Sequence, residues 1–108
     1  MVDPAVVTAV NRYLAALKEA GIAVELAVVF GSQARGEAHA WSDIDLLVVA
    51  PQFDDCQDRR FINLLWQLAA RIDSRIEPLP CGSRQWRDDD GSAIVEVARR
   101  EGKILQAA

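Results

Sequence analysis

The chain has 108 residues, 51% of them hydrophobic, which suits one compact domain (1–108) with a modest core. Its 16 acidic and 12 basic residues give a formal charge of -4, which excludes a chain-wide basic field for direct binding of nucleic acid. The N-terminus lacks a secretory pattern, no apolar run reaches membrane-spanning length, and Cys56 and Cys81 have no metal-ligand spacing, so we expect a cytoplasmic protein.

The N-terminal segment has the pattern of an amphipathic helix. Asp3 is suited to the N-cap and Pro4 to the first helical position, and apolar residues then recur at helical spacing as far as Gly21. The apolar run Val24–Phe30 is rich in β-branched residues and predicts a strand buried on both faces. We expect the helix to cover one face of the sheet.

This strand ends in a turn at Gly31 and Ser32, which leads into a short helical segment reaching Arg35. A glycine lets the backbone approach a ligand closely, and N–H groups at a helix start attract anions, so the turn is suited to phosphate oxygens. The same residues also occur in plain turns. His39, in the polar connection that follows, is the only histidine, which excludes a histidine-based metal site or catalytic triad within the chain. Trp41 could stack on a base or pack beside the sheet.

A second predicted strand, Asp43–Ala50, carries two aspartates at its start. Asp43 and Asp45 are two residues apart, so their side chains project to the same side of the strand. Two carboxylates a few ångströms apart repel each other, and a divalent cation is the usual counter-charge. The pattern therefore predicts a metal-binding carboxylate pair close to the phosphate turn.

A helix and a short strand follow. The segment from Asp58 to Ile72 has a wide apolar stripe, which leaves Trp66 either in the core or in a surface for a partner protein. Arg75–Pro80 predicts a strand, and because Pro78 has no N–H donor, we expect that strand to lie at an edge of the sheet or to end early.

The C-terminal third begins with a polar, turn-rich segment, Cys81–Gly91, which ends in the acidic run Asp88–Asp90. We interpret the run as favouring the dipole of a helix that starts near Ser92, in preference to a metal site. Lys103–Leu105 predicts a last short strand. The whole order predicts a small α/β (α+β) domain, a mixed β-sheet with helices packed on one face.

Gly31-Ser32, ten intervening residues and Asp43-Ile44-Asp45 resemble the G-S-x10-D-x-D signature of the nucleotidyltransferase superfamily, whose fold is that of DNA polymerase β. The surrounding stretches, Phe30–Gly36 and Ser42–Val48, are similar in particular to the minimal nucleotidyltransferase (MNT) family, the MntA-like antitoxins of HEPN/MNT pairs. The resemblance covers almost the whole chain and implies a polymerase β-like fold.

The resemblance implies contacts with a nucleoside triphosphate. Gly31 and Ser32 would contact its phosphates, and Arg35 is a candidate for neutralising their charge, although a surface role for this arginine is equally open. The resemblance further implies that the nucleotide donor is ATP.

The resemblance also implies a set of three catalytic carboxylates. Asp43 and Asp45 would bind Mg²⁺, and Glu77 would complete the metal site or accept a proton. The family often has aspartate at the last position, so the longer glutamate departs from its pattern. Asp73 is the alternative third carboxylate.

Finally, the resemblance implies an acceptor on another protein. The expected reaction is transfer of AMP to a tyrosine hydroxyl of a cognate HEPN-type toxin, with this chain as the antitoxin of a type VII-like pair, in a hetero-oligomer or a homodimer. Trp66 and the loop around Trp86 are the candidate contacts. Two alternatives stay open: a non-catalytic, nucleotide-binding antitoxin that occludes its partner, and a nucleotidyltransferase that acts on a small molecule.

Overall fold

The computed structural model describes residues 2–35, 42–54, 59–88 and 92–106. The elements are, in chain order, helix α1 (Pro4–Glu19), strand β1 (Leu26–Phe30), helix α2 (Ser32–Arg35), strand β2 (Ile44–Val49), a 3-10 turn (Pro51–Phe53), helix α3 (Arg59–Ile72), strand β3 (Ile76–Cys81), helix α4 (Ser83–Asp88), helix α5 (Ala93–Glu101) and strand β4 (Lys103–Gln106). In these ranges no helix is both long and apolar enough to cross a lipid bilayer.

The four strands form one mixed sheet in the order β3-β2-β1-β4. β1 is antiparallel to both β2 and β4, whereas β2 and β3 are parallel and joined through α3. The predicted fold class is thus confirmed. The prediction of an edge position for the strand with Pro78 is also confirmed, because β3 is the outermost strand on its side.

The two central strands, β1 and β2, are buried on both faces, and two layers of side chains cover them. The larger core lies between α1, α3 and the sheet, and includes Tyr13, Leu17, Ile44, Leu46 and Leu65. The opposite face packs its own cluster, Val28, Leu47, Val49, Cys81, Val95 and Ala98. The expectation of helices on one face therefore holds for α1 and α3, whereas α5 covers the second face. A strand as apolar as β1 needs a layer on each side.

The phenol of Tyr13 links the two helices of the larger core. Its hydroxyl donates a hydrogen bond to the carbonyl of Leu65, at 2.8 Å, and its side chain is completely buried. Burial raises the pKa of Tyr13 well above its ordinary value. A buried hydroxyl with a partner fixes the position of α3 against α1.

The helix caps show which ends are encoded locally. Asp3 accepts a hydrogen bond from the Ala5 N–H at 2.8 Å, which confirms the predicted N-cap. Ser92 accepts one from the Val95 N–H and caps α5, which confirms that a helix starts near this residue. Helix α4 lies where the sequence predicted only turns. His39, Trp41, Cys56, Asp89 and Asp90 lie outside the described residues.

Candidate active site

The turn after β1 fits directly against the first carboxylate strand through Gly31. β1 ends at Phe30, which pairs with Asp45, and Gly31 follows with a φ of 72°, in the left-handed region that favours glycine. A Cβ at Gly31 would collide with the Oδ2 atom of Asp45. Glycine is therefore required there for backbone conformation and for the approach of the carboxylate.

The parallel pairing of β2 and β3 places a second acidic side chain beside Asp45. Asp45 is opposite Glu77 in the register, and the Ile44 N–H donates to the carbonyl of Arg75 at 2.7 Å at the start of the pair. Residues opposite each other in a sheet share a face. Asp43, exposed, immediately precedes β2.

Electrostatic interactions show that the three carboxylates are close together. Partial burial raises the pKa of Glu77, and the negative charges of Asp43 and Asp45, with hydrogen bonds to both, raise it further. The structure thus brings together the three acidic residues that the sequence singled out; their chemical roles stay predictions. The charge that they accumulate favours a cation.

Asp73, the alternative third carboxylate, is engaged elsewhere. Its Oδ1 accepts hydrogen bonds from the backbone N–H and the Nε of Arg75, both at 3.0 Å, and its Oδ2 lies 2.7 Å from an Arg75 guanidinium nitrogen. The side-chain hydrogen bond from Arg75 lowers the pKa of Asp73. This aspartate closes the connection between α3 and β3, which favours Glu77 as the third carboxylate.

Helix α2 contributes a residue that the sequence did not single out. Ser32 and Arg35 are its first and last residues, and between them Gln33 is buried, with 4% of its surface exposed. The Gln33 Nε2 donates to the carbonyl of Ser42 at 3.3 Å, one residue before Asp43. Gln33 therefore joins the turn to the carboxylate strand. From the sequence, a polar side chain in a short turn is expected to be exposed to solvent. The burial of Gln33 and its contact with Ser42 are therefore visible only in the tertiary structure.

The acidic residues fit a metal that is shared with a nucleotide. Among the described residues, no group of three or more histidine, cysteine, aspartate or glutamate side chains has the spacing of a complete metal cage. Mg²⁺ does not require one, because it is usually held by one or two carboxylates together with substrate phosphates and water. Asp43 and Asp45, beside a turn suited to phosphates, offer that arrangement.

The sheet order, the glycine turn and the carboxylate strands define a nucleotidyltransferase-type fold. The model of the family described as "Nucleotidyltransferase domain" matches residues 10–81, and the chain belongs to this family. The resemblance noted in the sequence is confirmed at this level. A comparison with curated proteins finds no significant match.

Solved structures extend the comparison. The chain is 27% identical to a chain of a toxin–antitoxin crystal structure with AMP-PNP, covering 91% of this chain and 73% of that one, with a TM-score of 0.60. It is also 27% identical to a chain of a substituted form of the toxin–antitoxin MntA-HpeT, covering 91% of this chain and 72% of that one, with a TM-score of 0.60. The structure of a nucleotidyltransferase candidate from Sulfolobus solfataricus has a TM-score of 0.59 and covers 91% of this chain and 77% of its own. At 16% sequence identity, this similarity shows the fold alone. These similarities are consistent with the minimal nucleotidyltransferases.

Proposed function

We propose that this protein transfers AMP from ATP to a tyrosine hydroxyl of a cognate HEPN-type toxin in the cytoplasm, and thereby acts as the antitoxin. The observation that carries the proposal is the meeting of Gly31, Asp45 and Glu77 at one end of the sheet. The similarity to a toxin–antitoxin structure with AMP-PNP supports the nucleotide and the class of partner.

The turn would hold the phosphates of ATP. Backbone N–H groups at Gly31 and Ser32 are the binding groups, and Arg35 adds positive charge. Because the carboxylate of Asp45 occupies the space of the missing Gly31 side chain, phosphates bound at the turn would lie beside the acidic residues. The hydrogen bond from Gln33 to the Ser42 carbonyl holds the turn in place against the strand that carries the aspartates.

Asp43 and Asp45 would hold Mg²⁺ together with those phosphates. The chemistry that Mg²⁺ supplies when bound is neutralisation of the triphosphate charge and polarisation of the α-phosphate. The two aspartates orient the nucleotide by fixing this shared position at the start of β2.

Glu77 would take the proton in the transfer step. The tyrosine oxygen forms a bond to the α-phosphorus, the bond from that phosphorus to the α,β-bridging oxygen breaks, and pyrophosphate leaves. The hydroxyl proton passes to the carboxylate of Glu77. Because Glu77 lies opposite Asp45 in the strand register, its carboxylate is on the same face of the sheet as the aspartates and can accept this proton beside them.

The test uses the purified chain, the product of the adjacent gene, ATP and MgCl₂, followed by the intact mass of the partner. We expect the mass of one or more AMP groups with the unchanged chain and with Asp88→Asn, which alters an exposed aspartate on α4, and no detectable added mass with Asp45→Asn in the time that the unchanged chain needs for complete labelling. Equal labelling by Asp45→Asn, or no labelling by any form, would overturn the proposal. Inhibition of the partner without added mass would support occlusion instead.

A further inference from the structure

The two outermost strands of the sheet, β3 and β4, differ in the backbone groups that they direct outward. In β2, the N–H groups of Ile44 and Ala50 donate to carbonyls on the β3 side, at 2.7 and 3.0 Å. Because these groups alternate in direction along a strand, the even-numbered residues of β2 bond toward β3 and the odd-numbered ones toward β1. The register then fixes the direction of the backbone groups in both outer strands.

The outer edge of β3 is closed to a further strand. Its outward positions are Ile76, Pro78 and Pro80. The two prolines have no N–H, and the N–H of Ile76 donates to the carbonyl of Asp73 at 3.0 Å. This edge therefore has no N–H group to donate to another strand, and edge prolines are one of the means by which proteins prevent such pairing.

The outer edge of β4 is open. The register directs the backbone groups of Lys103 and Leu105 toward β1. The N–H and carbonyl groups of Ile104 and Gln106 consequently point away from the sheet. Within the part of the chain that the structure describes, no strand lies beyond β4. The sheet thus offers one edge, and only one, at which a further strand can pair.

Exposed apolar side chains accompany the open edge. Ile104 is opposite Val28, on the sheet face that α5 covers, and is 55% exposed. Ile94, which is 49% exposed, lies on α5 five residues before Arg99 and is therefore about 140° from it around the helix. Arg99 donates to the carbonyl of Trp86 on α4, the helix that follows β3. Ile94 therefore lies on the opposite flank of α5, toward β4.

The edge of β4 is complementary to itself. In a two-fold antiparallel pair centred on Leu105, Ile104 of each copy would exchange both backbone hydrogen bonds with Gln106 of the other. Every outward backbone group of β4 would then have a partner. The two Leu105 side chains would meet at the axis, on the face of the larger core. Lys103, the one charged residue of β4, would lie at opposite ends of the pair, so that like charges do not face each other.

The exposed side of α3 is not complementary to itself. Ile62 and Trp66, the latter predicted as a partner contact, are 38% and 47% exposed. However, α3 has three arginines and no acidic residue, so a second copy would oppose it with like charges. Trp86, the other tryptophan predicted as a contact, packs against the core cluster beneath α5, beside the guanidinium of Arg99.

We propose that two copies of this chain pair through their β4 edges and form one sheet of eight strands, four from each copy. Because the β3 edge of each copy is closed, the pairing ends at a dimer and does not continue into a filament. Glu77 lies on β3, at the far edge of each half, so the pairing leaves both candidate active sites open. The dimer rests on the edges of the sheet and is independent of the proposed transfer of AMP.

Sedimentation velocity over a wide range of concentrations tests the pairing. We expect the unchanged chain to reach twice its mass of 11.9 kDa. Ile104→Pro removes an outward N–H but no bond to β1, as the prolines of β3 do, so the variant should fold. It should raise the dissociation constant of the dimer roughly 30-fold or more, because each dimer loses two hydrogen bonds. The matched control Ile104→Val keeps the N–H and should stay within about twofold of the unchanged chain.

Cross-linking at the two-fold axis is a second measurement, which decides the matter even if the proline variant does not fold. Facing residues in a non-hydrogen-bonded antiparallel pair have Cα atoms about 4.5 Å apart, within the range of a disulfide. Leu105→Cys should therefore give a covalent dimer on mild oxidation. Ile104→Cys should not, because the two copies of residue 104 are diagonal to each other in this register. The unchanged chain, with only Cys56 and Cys81, should not cross-link either.

Each of four results would overturn the proposed dimer. The first is an unchanged chain that stays monomeric at every concentration, and the second is a dimer of unchanged affinity in folded Ile104→Pro. The third is a failure of Leu105→Cys to cross-link, or preferential cross-linking of Ile104→Cys. The fourth is growth beyond two copies, which would show that the β3 edge is not closed. None of these results bears on AMP transfer, which the labelling of the partner tests separately.

Discussion

Two aspartates lie against a glycine at opposite ends of the β2–β3 pair, and their surroundings differ. Asp45 is near the start of β2 and occupies the space where a side chain at Gly31 would lie. Asp54 follows the end of β2 and lies in the same way against Gly82, directly after β3. The packing is alike, but one carboxylate faces other carboxylates and the other faces N–H donors.

At the Asp54 end the negative charge is used within the fold. The carboxylate accepts hydrogen bonds from the backbone N–H groups of Arg84, at 3.0 Å, and Gln85, at 3.2 Å, and the first of these contacts is the main cause of a lowered pKa of Asp54. At the other end the pKa of Glu77 is raised. A carboxylate with N–H partners thus holds a helix in place, whereas crowded carboxylates indicate a ligand site.

The largest effect is expected from Asp45→Asn. Removing one charge that acts in the transition state should lower the rate of AMP transfer roughly 10²–10³-fold, without lowering the thermal stability of the metal-free protein, because the crowding of carboxylates is relieved. Single-turnover labelling and thermal unfolding measure the two effects. Asp54→Asn is the control, and it should lower the thermal stability while leaving the rate of AMP transfer unchanged. A similar loss of rate in both variants would remove the distinction between the two ends.

The second-largest effect is expected from Gly31→Ala, which should lower the rate of AMP transfer roughly 100-fold because the new Cβ displaces the Asp45 carboxylate. The left-handed backbone alone costs about 1–2 kcal/mol for an alanine. Gly21→Ala is matched for this strain, since its φ is 94°, but a Cβ there meets nothing within 4 Å. Labelling rates for both variants, normalised to the folded fraction, isolate the contact. Equal rates would show that Gly31 serves only the turn.

Asp54→Ala should lower the midpoint of thermal unfolding by roughly 5 °C, as expected for a lost helix cap. Affinity for AMP-PNP, measured by calorimetry, should not change, because α4 begins at the other end of the β2–β3 pair. Weaker nucleotide binding would show that the two ends are coupled.

Gln33→Met keeps the volume of the side chain and removes the donor to the Ser42 carbonyl. We expect a loss of roughly tenfold in kcat/KM for ATP, the size of one lost hydrogen bond. Gln33→Glu, which has the same shape but cannot donate when ionised, should resemble it. A lower unfolding temperature with unchanged kinetics would assign Gln33 to stability alone.

The smallest effect is a dependence on pH. Because the pKa of Glu77 is raised in the folded state, its ionisation disfavours folding; its contribution is most favourable at low pH and is lost as the pH rises through the folded pKa. In EDTA, Glu77→Gln should therefore unfold a few degrees above the unchanged protein at pH 8, with the difference vanishing near pH 4.

The contribution of Asp54 to stability depends on pH in the opposite direction. Its lowered pKa stabilises the folded state above the unfolded pKa, and this stabilisation is lost as the pH falls through the folded value. The deficit of Asp54→Asn should consequently shrink on acidification. Parallel pH profiles for the Glu77 and Asp54 variants would contradict the electrostatic contrast between the two ends.

Local patterns predicted most of the fold and part of the site. The apolar run of β1 and the periodicity of α3 specify their elements within the segment itself, and the spacing of Asp43 and Asp45 defines their common face. Helix α4 was missed because its capping carboxylate, Asp54, comes from about thirty residues earlier.

The remaining features depend on register, which no local pattern contains. The resemblance implied Glu77 as the third carboxylate and left Asp73 as the alternative, and only the parallel pairing places Glu77 opposite Asp45 while Asp73 is bonded to Arg75. The burial of Gln33 likewise depends on where Ser42 returns to the sheet.

Tyr13 is the single tyrosine of the chain, and its hydroxyl lies in the core, bonded to the carbonyl of Leu65. If a tyrosine hydroxyl is the acceptor, the protein has no accessible target of its own. Labelling of the isolated chain should therefore give no tyrosine-linked background. Any phosphotyrosine-type ester found in a mixture would report on the partner alone, which makes self-modification an unsuitable proxy for activity.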